Sequence, residues 1–178
     1  MWQRTYELDT IYRQYAKPLY FYLLKLCGSA QLAEDLTQET FVRATIFLHT
    51  YTGEEVRAWL FTVARNAYLD EWRKQQRRKS IPFLSIFASN LEIVSPYGIP
   101  EDTLLAKEQF MQLDDLLTYL PEQYRSILYL REYEQFSYKE IASTLELSEN
   151  QVKVTLHRAR KRLTSLAEKK GWYDERME

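Results

Sequence analysis

Lys153, His157, Arg158 and Lys161 recur on one side of the segment QVKVTLHRARKRL, with Asn150 and Val154 on the same face. From Gln151 to Lys170 the chain carries seven Lys or Arg and a single acid, Glu168. Cations at that density neutralise phosphates, and a helix that presents them with an amide near its start is suited to reading base edges. A second basic run, Arg65, Arg73, Lys74, Arg77, Arg78 and Lys79, is interleaved with Trp59, Tyr68 and Trp72. Charge combined with flat aromatic faces suits an unpaired nucleic-acid strand. A third group, Asp35, Gln38 and Glu39 with Phe41, reads as an exposed aromatic beside an acid–amide cluster. Spacing alone makes it an ordinary solvated helix surface. No nucleophile–base set, phosphate-binding glycine loop or metal-ligand cluster is present, so the chain reads as a non-enzyme without cofactor or metal.

The basic face requires a helix held against a partner helix. Ser137 precedes Glu140 by three residues and Ser148 precedes Gln151 by three, the spacing of two capping boxes. Phe136 with Ile141 and Leu147 with Val152 form the accompanying hydrophobic staples. Ile141, Ala142 and Leu145 mark the inner face of the first helix. Val152, Leu156, Ala159 and Leu163 mark that of the second. Two short-linked helices of this kind predict a helix-turn-helix, with the second helix in the major groove. A solvated hairpin end in an unrelated bundle is the competing reading, and the charge density favours DNA. Glu146 stands in the turn where Gly or Asn takes a left-handed backbone more easily, at a penalty of about 1 kcal/mol.

Upstream, Leu8, Ile11, Tyr12, Tyr15, Leu19, Tyr22, Leu23 and Leu26 follow a helical period that Pro18 kinks or divides. Gly28 and Ser29 end that helix and cap the next, over 30–47, with Leu32, Leu36, Val42 or Ala44, and Phe47 inward. A loop around Gly53 leads to a helix from Val56 to Lys79, whose stripe is Trp59, Leu60, Val63, Ala64, Ala67 and Tyr68. Trp59 is expected in the core, and Trp72 is left open between core and surface. Pro82, Pro96, Gly98 and Pro100 interrupt residues 80–102, which are nevertheless rich in Ile and Phe. A helical stripe resumes over 103–119, and Pro121 suits a helix start.

The whole is expected to be all-α: two small helical domains, 1–80 and 103–178, joined by a linker at 81–102. Across 178 residues the net charge is −1, but its distribution is uneven. Residues 1–80 hold 12 basic and 9 acidic side chains, 81–120 hold one and six, and 121–178 hold eleven and ten. A near-neutral total argues against tight, indiscriminate DNA binding by the chain alone. Cys27 is the sole cysteine and is expected as a buried thiol. With no apolar leader or spanning run, the chain is expected in the cytoplasm and not inserted in a membrane.

AEDLTQETFVRA, WLFTVARNAYLDEWRK and LPEQYRSILYLREYEQFSYKEIASTLELSENQVKVTLHRARKRL, in that order, closely resemble the extracytoplasmic-function sigma factors of bacterial RNA polymerase. The resemblance runs from about Tyr6 to Leu166. It implies a sigma-2-like domain, a sigma-4-like helix-turn-helix domain, and core polymerase and promoter DNA as partners. By the same resemblance, Asp35, Gln38, Glu39 and Phe41 dock on polymerase, which reverses the plain-surface reading above. Thr50, Tyr51, Thr52 and Gly53 hold a flipped base of the minus-10 element. Asn66, Asp70, Trp72, Arg73 and Arg77 line the separated strand. Asn150, Lys153, Val154, Thr155, His157, Arg158 and Lys161 read the minus-35 element, the linker threads through polymerase, and an anti-sigma factor is implied as a further partner. The alternative is a free-standing helix-turn-helix regulator, for which the docking face and the basic–aromatic helix have no purpose.

Overall fold

The computed structural model describes the backbone of residues 2–47, 56–79 and 115–171, and side-chain surroundings for 8–47, 56–78 and 115–171. Every regular element among these residues is helical. The chain divides into two compact units, Met1–Ile99 and Pro100–Glu178. The expected linker 81–102, the helical stripe up to residue 114 and the polar tail beyond Gly171 lie outside the described residues.

In the first unit α1 (Trp2–Cys27), α2 (Ala30–Phe47) and α3 (Val56–Lys79) each pack on the other two. α1 runs unbroken through Pro18, so the expected division into two helices does not occur. A proline inside a helix costs about 3 kcal/mol. Here Leu19, Tyr20, Tyr22 and Leu23 follow it at 0% exposure, and burying each large apolar side chain contributes about 1.5–3 kcal/mol. Packing outweighs the lost hydrogen bond. Gly28 then takes φ +69°, a left-handed turn that suits glycine, and the Ser29 hydroxyl accepts from the Leu32 amide at 3.3 Å. Cys27 is half-buried, with its thiol donating to the Ser29 carbonyl at 3.3 Å, and not enclosed as expected.

The inner face of α2 is Ala33, Leu36, Thr37, Thr40, Phe41 and Ala44. Thr37 and Thr40 enter the core because their hydroxyls donate to the carbonyls of Ala33 and Leu36, both at 2.7 Å. Of the residues expected inward, Ala44 is buried, whereas Val42 and Phe47 are 58% and 57% exposed. Phe41 is also corrected: it is 7% exposed and packs on Tyr12 with ring centroids 4.8 Å apart. On α3, Leu60, Ala64, Ala67 and Tyr68 are buried as expected, and Ala58 and Phe61 join them. Trp59 and Val63 are only half-buried.

The second unit begins, among the described residues, with a helical stretch at 115–118 that buries Leu116 and Leu117. Pro121 opens α4 (Glu122–Leu128), its carbonyl accepting from the amides of Tyr124 and Arg125 at 3.0 and 3.1 Å. A five-residue π-helical turn, Tyr129–Tyr133, follows, with Tyr129 and Tyr133 stacked at 4.9 Å. α5 (Tyr138–Leu145) and α6 (Glu149–Lys169) complete the unit, and α4 packs on both. Leu120, Ile127, Leu130, Phe136, Ile141, Leu145, Val152 and Leu156 fill the core between them.

Candidate nucleic-acid interface

Both helix starts in the hairpin are fixed by their own sequences. The Glu140 amide donates to the Ser137 hydroxyl at 3.2 Å, and the Ser137 amide to the Glu140 carboxylate at 2.7 Å. The Gln151 amide meets the Ser148 hydroxyl at 3.2 Å, and the Ser148 amide meets the Gln151 carbonyl oxygen at 2.8 Å. Each reciprocal pair satisfies two amides that the helix leaves open. Phe136, Ile141 and Val152 are fully buried and Leu147 half-buried, so both staples form. Glu146 is left-handed at φ 55° and ψ 46°, and its amide and that of Leu147 converge on the Ala142 carbonyl.

With Val152, Leu156 and Ala159 buried, rotation of α6 brings its other face out. Asn150, Lys153, Val154, His157, Arg158 and Lys161 are all exposed, and Thr155 is half-buried at the edge. The basic run is divided in its use. Arg160 is bound to the Glu132 carboxylate, with nitrogen–oxygen distances of 2.6 and 3.1 Å. Lys170 reaches Asp115 at 3.0 Å and lies 4.2 Å over the Tyr119 ring. The hydrogen bond to Asp115 holds the Lys170 ammonium above its ordinary pKa. Among the described residues no ion pair engages Lys153, Arg158 or Lys161. The turn before α5 is clamped by Arg131, which donates to the Phe136 carbonyl at 2.8 Å and stands 5.2 Å over the Tyr138 ring.

In the first unit, Asn66, Asp70, Arg73 and Arg77 follow one another at four-, three- and four-residue steps, a single stripe along α3. Trp72 is 47% exposed but sits about 120° around the helix from that stripe, so it is not gathered with the others. Thr50, Tyr51, Thr52 and Gly53 lie outside the described residues. Asp35, Gln38 and Glu39 are exposed on α2, and Asp35 accepts from Gln31 at 3.3 Å. Phe41 lies beneath that surface, toward α1.

One residue not singled out in the sequence joins these groups. Arg43 donates to Glu39 at 2.8 Å on its own helix and to Asp70 at 3.0 Å on α3. Asp70 in turn accepts from Arg73 at 3.2 Å through its other oxygen. The Glu39 hydrogen bond, then that to Asp70, raises the Arg43 pKa against partial burial. The Glu39–Arg43 spacing of four was visible in the sequence as a helical ion pair. The bond to Asp70, 27 residues away, had no sequence signal.

Comparison with known proteins accounts for both units. Residues 11–78 match the family described as Sigma-70 region 2, and residues 110–163 match Sigma-70, region 4. The ECF RNA polymerase sigma factor SigM of Bacillus subtilis (strain 168) is 36% identical over 162 residues, covering 89% of this chain and 94% of SigM. The ECF RNA polymerase sigma factor SigL of Mycobacterium tuberculosis H37Rv is 33% identical, over 85% of this chain and 84% of SigL. The sigma factor RpoE of Bartonella quintana, solved with the anti-sigma factor NepR, superposes with a TM-score of 0.74 at 23% identity. It covers 91% of this chain and 97% of RpoE. CnrH, solved with the cytosolic domain of CnrY, superposes with a TM-score of 0.64 at 21% identity, over 90% and 87%.

The fold and the paired region 2 and region 4 matches define a bacterial sigma factor. The chain belongs to the extracytoplasmic-function family of RNA polymerase sigma factors. It is an alternative sigma factor of transcription initiation, and the reading as a free-standing helix-turn-helix regulator gives way. Its relatives are sigma factors and not enzymes. No helix among the described residues is long and apolar enough to cross a membrane.

Proposed function

We propose that this chain divides promoter recognition between its two units once it is bound to core RNA polymerase. The observation that carries the reading is the outward face of α6, where Lys153, His157, Arg158 and Lys161 stand exposed opposite a buried stripe. That face meets the upstream, minus-35 duplex, with Asn150, Val154 and Thr155 at base edges. The α3 stripe of Asn66, Asp70, Arg73 and Arg77 follows the separated non-template strand, with Trp72 as a flanking stacking face. The segment Thr50 to Gly53 takes one unstacked base of the minus-10 element. Asp35, Gln38 and Glu39 dock on core polymerase, and Phe41 acts beneath them by holding α2 against Tyr12.

The domain limits that go with this reading are 1–80 and 103–178, with 81–102 threading through polymerase. An anti-sigma factor is a further proposed partner, as in the solved RpoE complex. The proposed compartment is the cytoplasm, where polymerase works. No bond-making step falls to this chain; that chemistry belongs to polymerase.

Run-off transcription with purified core polymerase tests the reading. Core plus the chain should yield transcripts only from templates with both promoter elements, and the chain alone should bind DNA weakly. Glu39→Lys should lower affinity for core while circular dichroism stays unchanged, because an exposed charge reversal seldom unfolds a domain. Absence of transcripts from a genomic promoter library with wild-type chain would overturn it.

A further inference from the structure

Glu39, Arg43, Asp70 and Arg73 form one chain of ion pairs from α2 to α3, with successive distances of 2.8, 3.0 and 3.2 Å. Two carboxylates and two guanidiniums cancel. The first member lies on the surface assigned above to polymerase, and the last lies on the stripe assigned to the unpaired strand. We propose that Arg43 is a relay that unmasks one positive charge beside the strand when polymerase engages Glu39. This inference rests on the docking role proposed above for Glu39.

The physical argument is charge competition. Side-chain exposures of 33% for Arg43, 48% for Glu39, 43% for Asp70 and 61% for Arg73 leave every member in reach of solvent and of a partner. Such pairs are individually weak, so a cation presented by polymerase can withdraw Glu39 at little cost. Arg43 then has Asp70 as its remaining acid, and both Asp70 oxygens become available to it in a two-point pairing. Arg73 holds Asp70 by the longer contact on one oxygen, and it is the more exposed guanidinium. It is the member released, to take a phosphate next to Asn66 and Arg77. In the free chain the group is neutral; with Glu39 engaged, Arg43, Asp70 and Arg73 carry one net positive charge. Strand affinity is thus made conditional on docking without any movement of the helices.

Removing the Glu39 charge should imitate docking in the free, full-length chain. Glu39→Gln should tighten binding to a fluorescein-labelled mixed-sequence single strand at low salt by about three- to fivefold, the scale of an exposed ion-pair network. It should also steepen the dependence of log affinity on log salt by about 0.7, one extra phosphate contact on a single strand. In an Arg43→Gln background the same Glu39→Gln change should give no gain. Asp35→Asn, on the same helix but bonded to Gln31 instead of Arg43, measures generic charge and should act equally in both backgrounds. If Arg43→Gln loses helical signal, Asp70→Asn cuts the relay at its next bond and should likewise abolish the Glu39→Gln gain. An equal gain in both backgrounds, or none in the wild-type background, overturns the relay. Core affinity of Glu39→Gln is read separately: an unchanged value overturns the docking assignment while the strand-binding cycle still judges the relay.

Discussion

The two units prepare their surfaces in opposite ways. In the C-terminal unit the helix ends are fixed by neighbours three or four residues away, and the outward face of α6 is left open. Its ion pairs, Arg160–Glu132 and Lys170–Asp115, lie at the back and tie the unit together. In the N-terminal unit the helices are held by large buried rings, Tyr22 against Phe61 at 5.1 Å and Tyr12 against Phe41 at 4.8 Å. There the ion pairs run through the candidate surface itself, so Glu39, Asp70 and Arg73 are partly occupied by one another. One surface is ready as folded; the other must first be unpaired. A near-neutral chain that needs polymerase before it opens DNA is consistent with that asymmetry.

The largest effect that would test the separation comes from the core. Leu156→Ala, at a side chain 1% exposed, should cost the C-terminal unit about 2–5 kcal/mol. In denaturant titration of the full chain it should move one transition and leave that of the N-terminal helices in place. A common shift of both would mean the units are one cooperative body. Next in size, Lys153→Ala or Arg158→Ala should weaken upstream recognition by about 1–3 kcal/mol if the residue contacts a base. Measured across a small promoter panel, a loss equal for every upstream sequence would reassign it to a phosphate. Ser148→Ala, which removes the acceptor at the start of α6, should destabilise the C-terminal unit by about 1 kcal/mol, read as a lower denaturant midpoint. Full stability would show that the tertiary contacts alone set that helix start. The smallest change is favourable: Glu146→Gly should stabilise by about 0.5 kcal/mol, since relief of the left-handed strain is partly offset by glycine's entropy. A loss of stability there would mean the glutamate side chain contributes more than its backbone strain removes.

The same asymmetry explains what could be read beforehand. Capping boxes, staples, the buried stripe of α6 and the left-handed Glu146 are all local patterns, and the structure holds each of them. The span of α3 was equally legible from its period. Phe41 and Phe47 were not, because helical spacing gives faces but not which face a neighbour covers; α1 covers Phe41 and leaves Phe47 57% exposed. Thr37 and Thr40 read as polar, yet back-bonding to the preceding turn lets them into the core. Arg43 was hidden for the same reason as Phe41: its second partner arrives on another helix. The roles of the surface residues came from the resemblance to sigma factors and not from spacing.

The π-helical turn at Tyr129–Tyr133 carries a consequence for how this segment tolerates insertions and deletions. A π turn holds one residue more than the α-helical turn it replaces. Loss of a residue there could be absorbed by the hydrogen-bond ladder, which would simply close into an α-helix. The chain downstream would then leave rotated by about 100°. Phe136, whose amide is held by the Leu130 carbonyl at 2.9 Å, would no longer enter the core, and Arg131 would lose the Phe136 carbonyl. Scanning single-residue deletions across 122–135 should therefore abolish upstream recognition even where helix content is unchanged, whereas apolar-to-apolar replacements at the same sites should be borne. The spacer length between α4 and the hairpin, more than its composition, sets the phase in which α6 is presented.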